Sequence, residues 1–126
     1  MPFEIETDHN CQIVILRVSG KEPLDKHIQT CEKTVQECYD NKFKKILIDL
    51  RAMDSSNITS VETGVGFGDF FAGGERLKDV QIAQVLPVEV VSRVDVDFSA
   101  PFAEIKGKTI GRFTTIEEAR EWLRKQ

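Results

Sequence analysis

The stretch Lys44 to Leu50, KKILIDL, constrains this chain most. Ile46, Leu47, Ile48 and Leu50 are apolar at nearly successive positions, with Asp49 as the interruption. A strand with one wet face alternates apolar and polar residues. A nearly continuous apolar run is instead covered on both faces and belongs to the middle of a sheet between helices. The segment therefore predicts an α/β fold.

The flanks extend that reading. Phe3 to Thr7 alternates and predicts an edge strand, and Cys11-Gln12 is a turn. Ile13 to Val18, IVILRV, is a β-branched strand stopped by Ser19-Gly20. Asp25 is placed to cap a helix beginning near Lys26. Ile28, Cys31, Val35, Cys38 and Tyr39 form its apolar stripe. Ile58 to Phe71 is a second helix, with Ile58, Val61 and Val65 on one face and Gly73-Gly74 as its end. Gly64, Gly66 and Gly68 each weaken it by about 1 kcal/mol relative to alanine. Val80 to Leu86 is a strand stopped by Pro87. Pro87 to Lys108 fits either period; a crossover between parallel strands favours a helix, irregular near Pro101. Thr109 to Phe113 is the last strand. Thr115 and Glu118 form a capping box before a helix that buries Ile116, Ala119, Trp122 and Leu123.

The order is β-β-α-β-α-β-α-β-α. It predicts a single α/β domain over residues 1–126, with a five-stranded mixed sheet, an N-terminal edge hairpin and four helices. At 126 residues the chain is long enough to bury a proper core.

Composition narrows the function classes. The net charge of −4 argues against a nucleic-acid surface. No apolar run reaches transmembrane length, and the acidic start Met1–Asn10 has no signal-peptide core, so a cytoplasmic location is expected. Cys11, Cys31 and Cys38 match neither zinc nor redox spacing. Cys31 and Cys38, seven apart, read as small buried hydrophobes. His9 and His27 have no ligand-like companions, so neither a metal site nor triad chemistry is expected.

Beyond Leu50 the sequence runs RAMDSSNITS. Asp54, Ser55 and Ser56 lie between a strand and a helix, where their oxygens accept from free backbone N–H groups for roughly 1 kcal/mol. Helix capping alone accounts for their presence. KKILIDLRAMDSSNITS also resembles the signature of the STAS domain, the sulphate-transporter and anti-sigma-factor-antagonist family. In that family a strand ends in aspartate and leads, a few residues later, into Asp-Ser-Ser-Gly and a helix. Asp49 and Asp54-Ser55-Ser56-Asn57 are the matching residues, with Asn57 in place of the glycine. Gly20 and Asp25 of RVSGKEPLDKH resemble the family's strand–Gly–x–Leu-Asp–helix segment. The ending GRFTTIEEAREWL is similar to a small bacterial SpoIIAA-like branch, through Phe113, Glu118, Ala119, Trp122 and Leu123. That branch is linked by fold to lipid-binding proteins.

The resemblance implies a non-catalytic regulatory module that binds a kinase, an anti-sigma-like protein or another signalling protein. It places phosphorylation on Ser56, with Ser55 as the second acceptor. Asp54, Asp25 and Asn57 would shape the partner-binding turn. No cofactor is implied.

Two other readings come from the residues themselves. TGVGFGDFFAGG offers Phe67, Phe70 and Phe71, which with Phe98 and Phe102 could line a cleft for an apolar small molecule or lipid. Core packing or a homodimer patch explains the same phenylalanines. An enzyme reading finds little: Gly64-x-Gly66-x-Gly68 lacks a P-loop lysine, and Asp49, Asp54 and Glu62 read as solvated caps before they read as cation ligands.

Overall fold

The computed structural model describes residues 3–54, 75–88 and 110–126. Within them, β1 (Phe3–Asp8), β2 (Ile13–Gly20), β3 (Lys45–Met53), β4 (Gln81–Val85) and β5 (Ile110–Phe113) form one sheet in sequence order. β1 is antiparallel to β2, and β2 to β5 run parallel. Helix α1 (Leu24–Asp40) connects β2 to β3, and α2 (Ile116–Arg124) follows β5. A short 3-10 turn, Glu75–Leu77, precedes β4. The chain is thus α/β with a five-stranded mixed sheet and an antiparallel edge hairpin. The expected helices over 58–71 and within 87–108 fall outside the described residues, apart from Pro87 and Val88, which are not helical.

Strand alternation sorts the core into two layers. Val14, Leu16 and Val18 of β2 and Ile46, Ile48 and Leu50 of β3 point to one face, where Cys31, Val35 and Cys38 of α1 cover them. Ile13, Ile15 and Leu47 point to the other, against Ala119 and Leu123 of α2. The continuous apolar run of β3 is therefore buried on both sides.

The buried stripe of α1 differs from the expected one. Tyr39 is 56% exposed, while His27, Thr30 and Thr34 are buried. Thr30 and Thr34 enter the core because each hydroxyl donates to the carbonyl four residues back, Lys26 O and Thr30 O, both at 2.9 Å. No helix among the described residues is long and apolar enough to cross a membrane.

The hairpin turn between β1 and β2 is fixed locally. The Cys11 N–H donates to Asp8 Oδ1 at 3.0 Å, and Gln12 takes a left-handed φ of 58°. That hydrogen bond, with Arg120 3.5 Å away, lowers the Asp8 pKa below its ordinary carboxylate value. At the other end of the chain, Thr115 caps α2 by accepting from Glu118 N, and the Glu118 carboxylate accepts from Thr115 Oγ1 at 3.0 Å.

Candidate functional site

The parallel strands deliver their carboxyl ends to one rim, where open α/β sheets hold their ligands. β2 does not stop at Val18. Its Ser19 and Gly20 pair with Ala52 and Met53 after a register shift beyond Arg17–Asp49. The shift inserts one extra residue in β3, a bulge of the kind that re-aims side chains. Leu50 and Met53 stay in the core, while Arg51 and Ala52 are both turned outward. β3 consequently runs three residues past the Leu50 end expected from hydrophobicity.

At the bulge, Arg51 lies beside Asp49. The Asp49 side chain is only 8% exposed and takes three hydrogen bonds from one residue. Arg51 N and Nε donate to Oδ1 at 3.1 and 3.0 Å, and the Arg51 terminal nitrogen donates to Oδ2 at 2.9 Å. This two-pronged geometry satisfies a carboxylate that burial would otherwise penalise. The same hydrogen bonding raises the Arg51 pKa above its already high value.

Asp54 follows directly. Its N–H donates to Gly20 O at 3.0 Å, and its carboxylate lies 3.7 Å from Lys21 Nζ. Gly20 adopts φ 80°, with nothing near the place where a Cβ would stand. Backbone conformation, not lack of space, calls for glycine there. Ser55 and Ser56 therefore follow, in sequence, a residue tied to the end of the neighbouring strand.

Asp25 is not the helix cap. α1 begins at Leu24, with Pro23 as an extended N-cap that supplies no side-chain hydrogen bond. The Pro23 carbonyl accepts from Lys26 N at 3.0 Å and His27 N at 3.2 Å. Proline sets this start because its φ is already fixed and its missing N–H is not needed there. Asp25 sits inside the first turn, where its charge complements the helix dipole.

Asp25 and Asp54 thus both follow the carboxyl ends of adjacent parallel strands. Ser55, Ser56 and Asn57 lie outside the described residues, as do Phe67, Phe70, Phe71, Phe98, Phe102 and Glu62. Asp49 and Asp54 each have a cationic neighbour, and no group of three or more His, Cys, Asp or Glu among the described residues is arranged to hold a metal ion.

Beside the rim, on the α2 face, a cavity of about 490 Å³ is lined by Glu4, Arg17, Ser19, Asp49, Arg51 and Val88. Arg17 pairs with Glu6 across β1–β2 at 3.0 Å. Val88 is 78% exposed, and its N–H donates to Arg51 O at 3.2 Å, which draws the chain after β4 toward the end of β3.

Sequence reasoning passed over Lys21 and Arg51. Arg51 was open to detection: residues two apart on a strand share a face, so Asp49 and Arg51 are natural neighbours. Lys21 had no such signal, because its pairing with Asp54 depends on the register between two strands. No protein-family model, curated protein or solved structure matches the chain.

Proposed function

We propose that the chain is a single-domain, STAS-like, non-catalytic regulatory module. Its carboxyl rim binds a signalling protein, and phosphorylation of Ser56 by a partner kinase switches that binding, with Ser55 as the second acceptor. The observation that supports this reading is Asp54, anchored to Gly20 O and facing Lys21 at the end of β3. The DSSN segment begins at that fixed point, one strand away from Asp25 at the start of α1.

The switch is electrostatic. A phosphate adds about −1.5 to −2 charges. Asp54 and Asp25 already place two carboxylates at this rim, and the Lys21 side chain, 60% exposed, has room to turn from Asp54 toward a new dianion. The added charge costs little in the free protein but repels an acidic partner and opposes desolvation in a packed interface.

The test is intact-mass and phosphopeptide analysis of the protein from its own cells under varied growth conditions. The expected result is a phosphopeptide with phosphate on Ser56 or Ser55, and loss of a co-purifying protein when Ser56→Asp is introduced. A chain never phosphorylated, or one carrying a stoichiometric apolar molecule in native mass spectrometry, would overturn the switch. The second result would support the carrier reading in its place.

A further inference from the structure

A second cavity, of about 510 Å³, lies at the opposite end of the same sheet face. It sits between the β1–β2 turn and α2 and is lined by Cys11, Ile13, Lys45, Glu117, Arg120 and Arg124. Its volume falls in the range of small-molecule sites. Three of the lining residues are cationic and one is acidic.

The cations differ in what they already hold. Arg120 pairs with Asp8 at 3.5 Å, and Arg124 pairs with Glu121. Lys45 opens β3 at a half-buried position and has no carboxylate within ion-pair distance among the described residues. A half-buried ammonium loses hydration, and the described residues supply no counter-charge that offsets the loss. Beside it, Ile13 is 3% exposed and forms an apolar wall. Glu117, on the facing side of α2, disfavours a dianion.

We propose that this cavity binds a small organic monoanion, a carboxylate on an apolar body, with Lys45 as the principal counter-charge. The carboxylate meets the Lys45 ammonium, and Arg120 and Arg124 border it. The apolar body lies along Ile13 and the arginine stems. The ligand's outer end lies toward Cys11, the exposed cysteine of the three.

Cys11 supplies the readout, because Cys31 and Cys38 are buried. The probes are hydrocinnamate, hydrocinnamyl alcohol and phenylpropylamine, which share one body and differ in head group. Alkylation of Cys11 by iodoacetamide is followed by mass spectrometry. Backbone amide shifts at Cys11, Ile13 and Lys45 are read by NMR as an independent measure. Hydrocinnamate is expected to slow alkylation saturably and to shift these amides, while the alcohol and the amine do neither. Lys45→Met keeps the stem and removes the charge, so it should weaken hydrocinnamate binding about tenfold or more with an unchanged melting curve. Glu117→Gln should strengthen it. Equal effects from alcohol or amine, full binding by Lys45→Met, weaker binding by Glu117→Gln, or no saturable effect of hydrocinnamate in either measurement would each overturn the proposal.

Discussion

Among the described residues, the two faces of the sheet are covered unequally. α1 has 17 residues and runs about 25 Å, close to the roughly 30 Å of the nine-residue strand β3. α2 has 9 residues and runs about 13 Å. The strands record this difference residue by residue. On β3, the α1-facing positions are Ile46, Ile48 and Leu50, all apolar. The α2-facing positions are Lys45, Leu47, Asp49, Arg51 and Ala52, of which Leu47 and Ala52 are apolar. β2 repeats the pattern, with Val14, Leu16 and Val18 against Ile13, Ile15, Arg17 and Ser19. Both described cavities lie on this face, one toward each end of β3. Among the described residues, the short helix does not reach either end of β3 on this face, and the strand positions there carry charge.

The largest test of this comparison deletes one core side chain from each face. Leu16→Ala, under α1, should cost about 2–5 kcal/mol in denaturant unfolding, as a cavity in a layer that cannot collapse. Leu123→Ala, on α2, removes a side chain that is equally buried. Its helix is short and holds the sheet through two buried residues, Ala119 and Leu123, so it can release from the sheet by itself. Amide exchange should therefore rise across residues 116–124 before the sheet loses protection. Equal, global exchange in both variants would break the distinction between the faces.

A smaller effect is expected at Gly111. A Cβ there would stand 2.8 Å from Phe113 Cε2 and 3.2 Å from Trp122 Cδ2. Those rings already pack at 5.8 Å between centroids. Gly111→Ala should force them to shift and cost about 1–3 kcal/mol. Trp122 is the single tryptophan, so its fluorescence reports the change directly. A variant with unaltered emission and stability would show that the α2 face is loosely packed even beneath its helix.

This asymmetry also separates what the sequence made legible from what it did not. The strands and their order were readable because β2 and β3 are apolar on both faces where helices cover them. The extension of β3 to Met53 was not, because a bulge breaks the alternation that reveals a strand. Tyr39 was placed in the core by helical spacing, yet Thr30 and Thr34 lie there, since their hydroxyls bond within the helix. Asp25 suggested a cap, but Pro23 starts the helix two residues before it. In the site, Asp54 followed from the motif. Its partners Gly20 and Lys21 required the register of β2 on β3, which no local pattern carries.

The smallest expected effect is a pH dependence whose upper step belongs to the α1 face. His27 is buried in the first part of α1 and packs edge-on to Phe3 at 5.6 Å. Burial lowers its pKa below the ordinary 6.5, against a smaller upward pull from Glu22. The unfolded chain therefore binds a proton at higher pH than the folded one does. Between the two values the unfolded state holds more protons, so stability rises with pH through that window. Acidification from about 6.5 should erode stability until the folded pKa is reached, and then the His27 contribution levels off. Asp8 acts in a separate, more acidic range, because its lowered carboxyl value stabilises the fold above the ordinary 3.8 and loses that effect as pH falls further. Denaturant midpoints across both windows should thus show two steps. His27→Phe, which keeps a ring against Phe3, should remove the upper step. An upper step that survives His27→Phe would mean that the α1 face admits a charged His27 without cost, and that its cover is as open as that of α2.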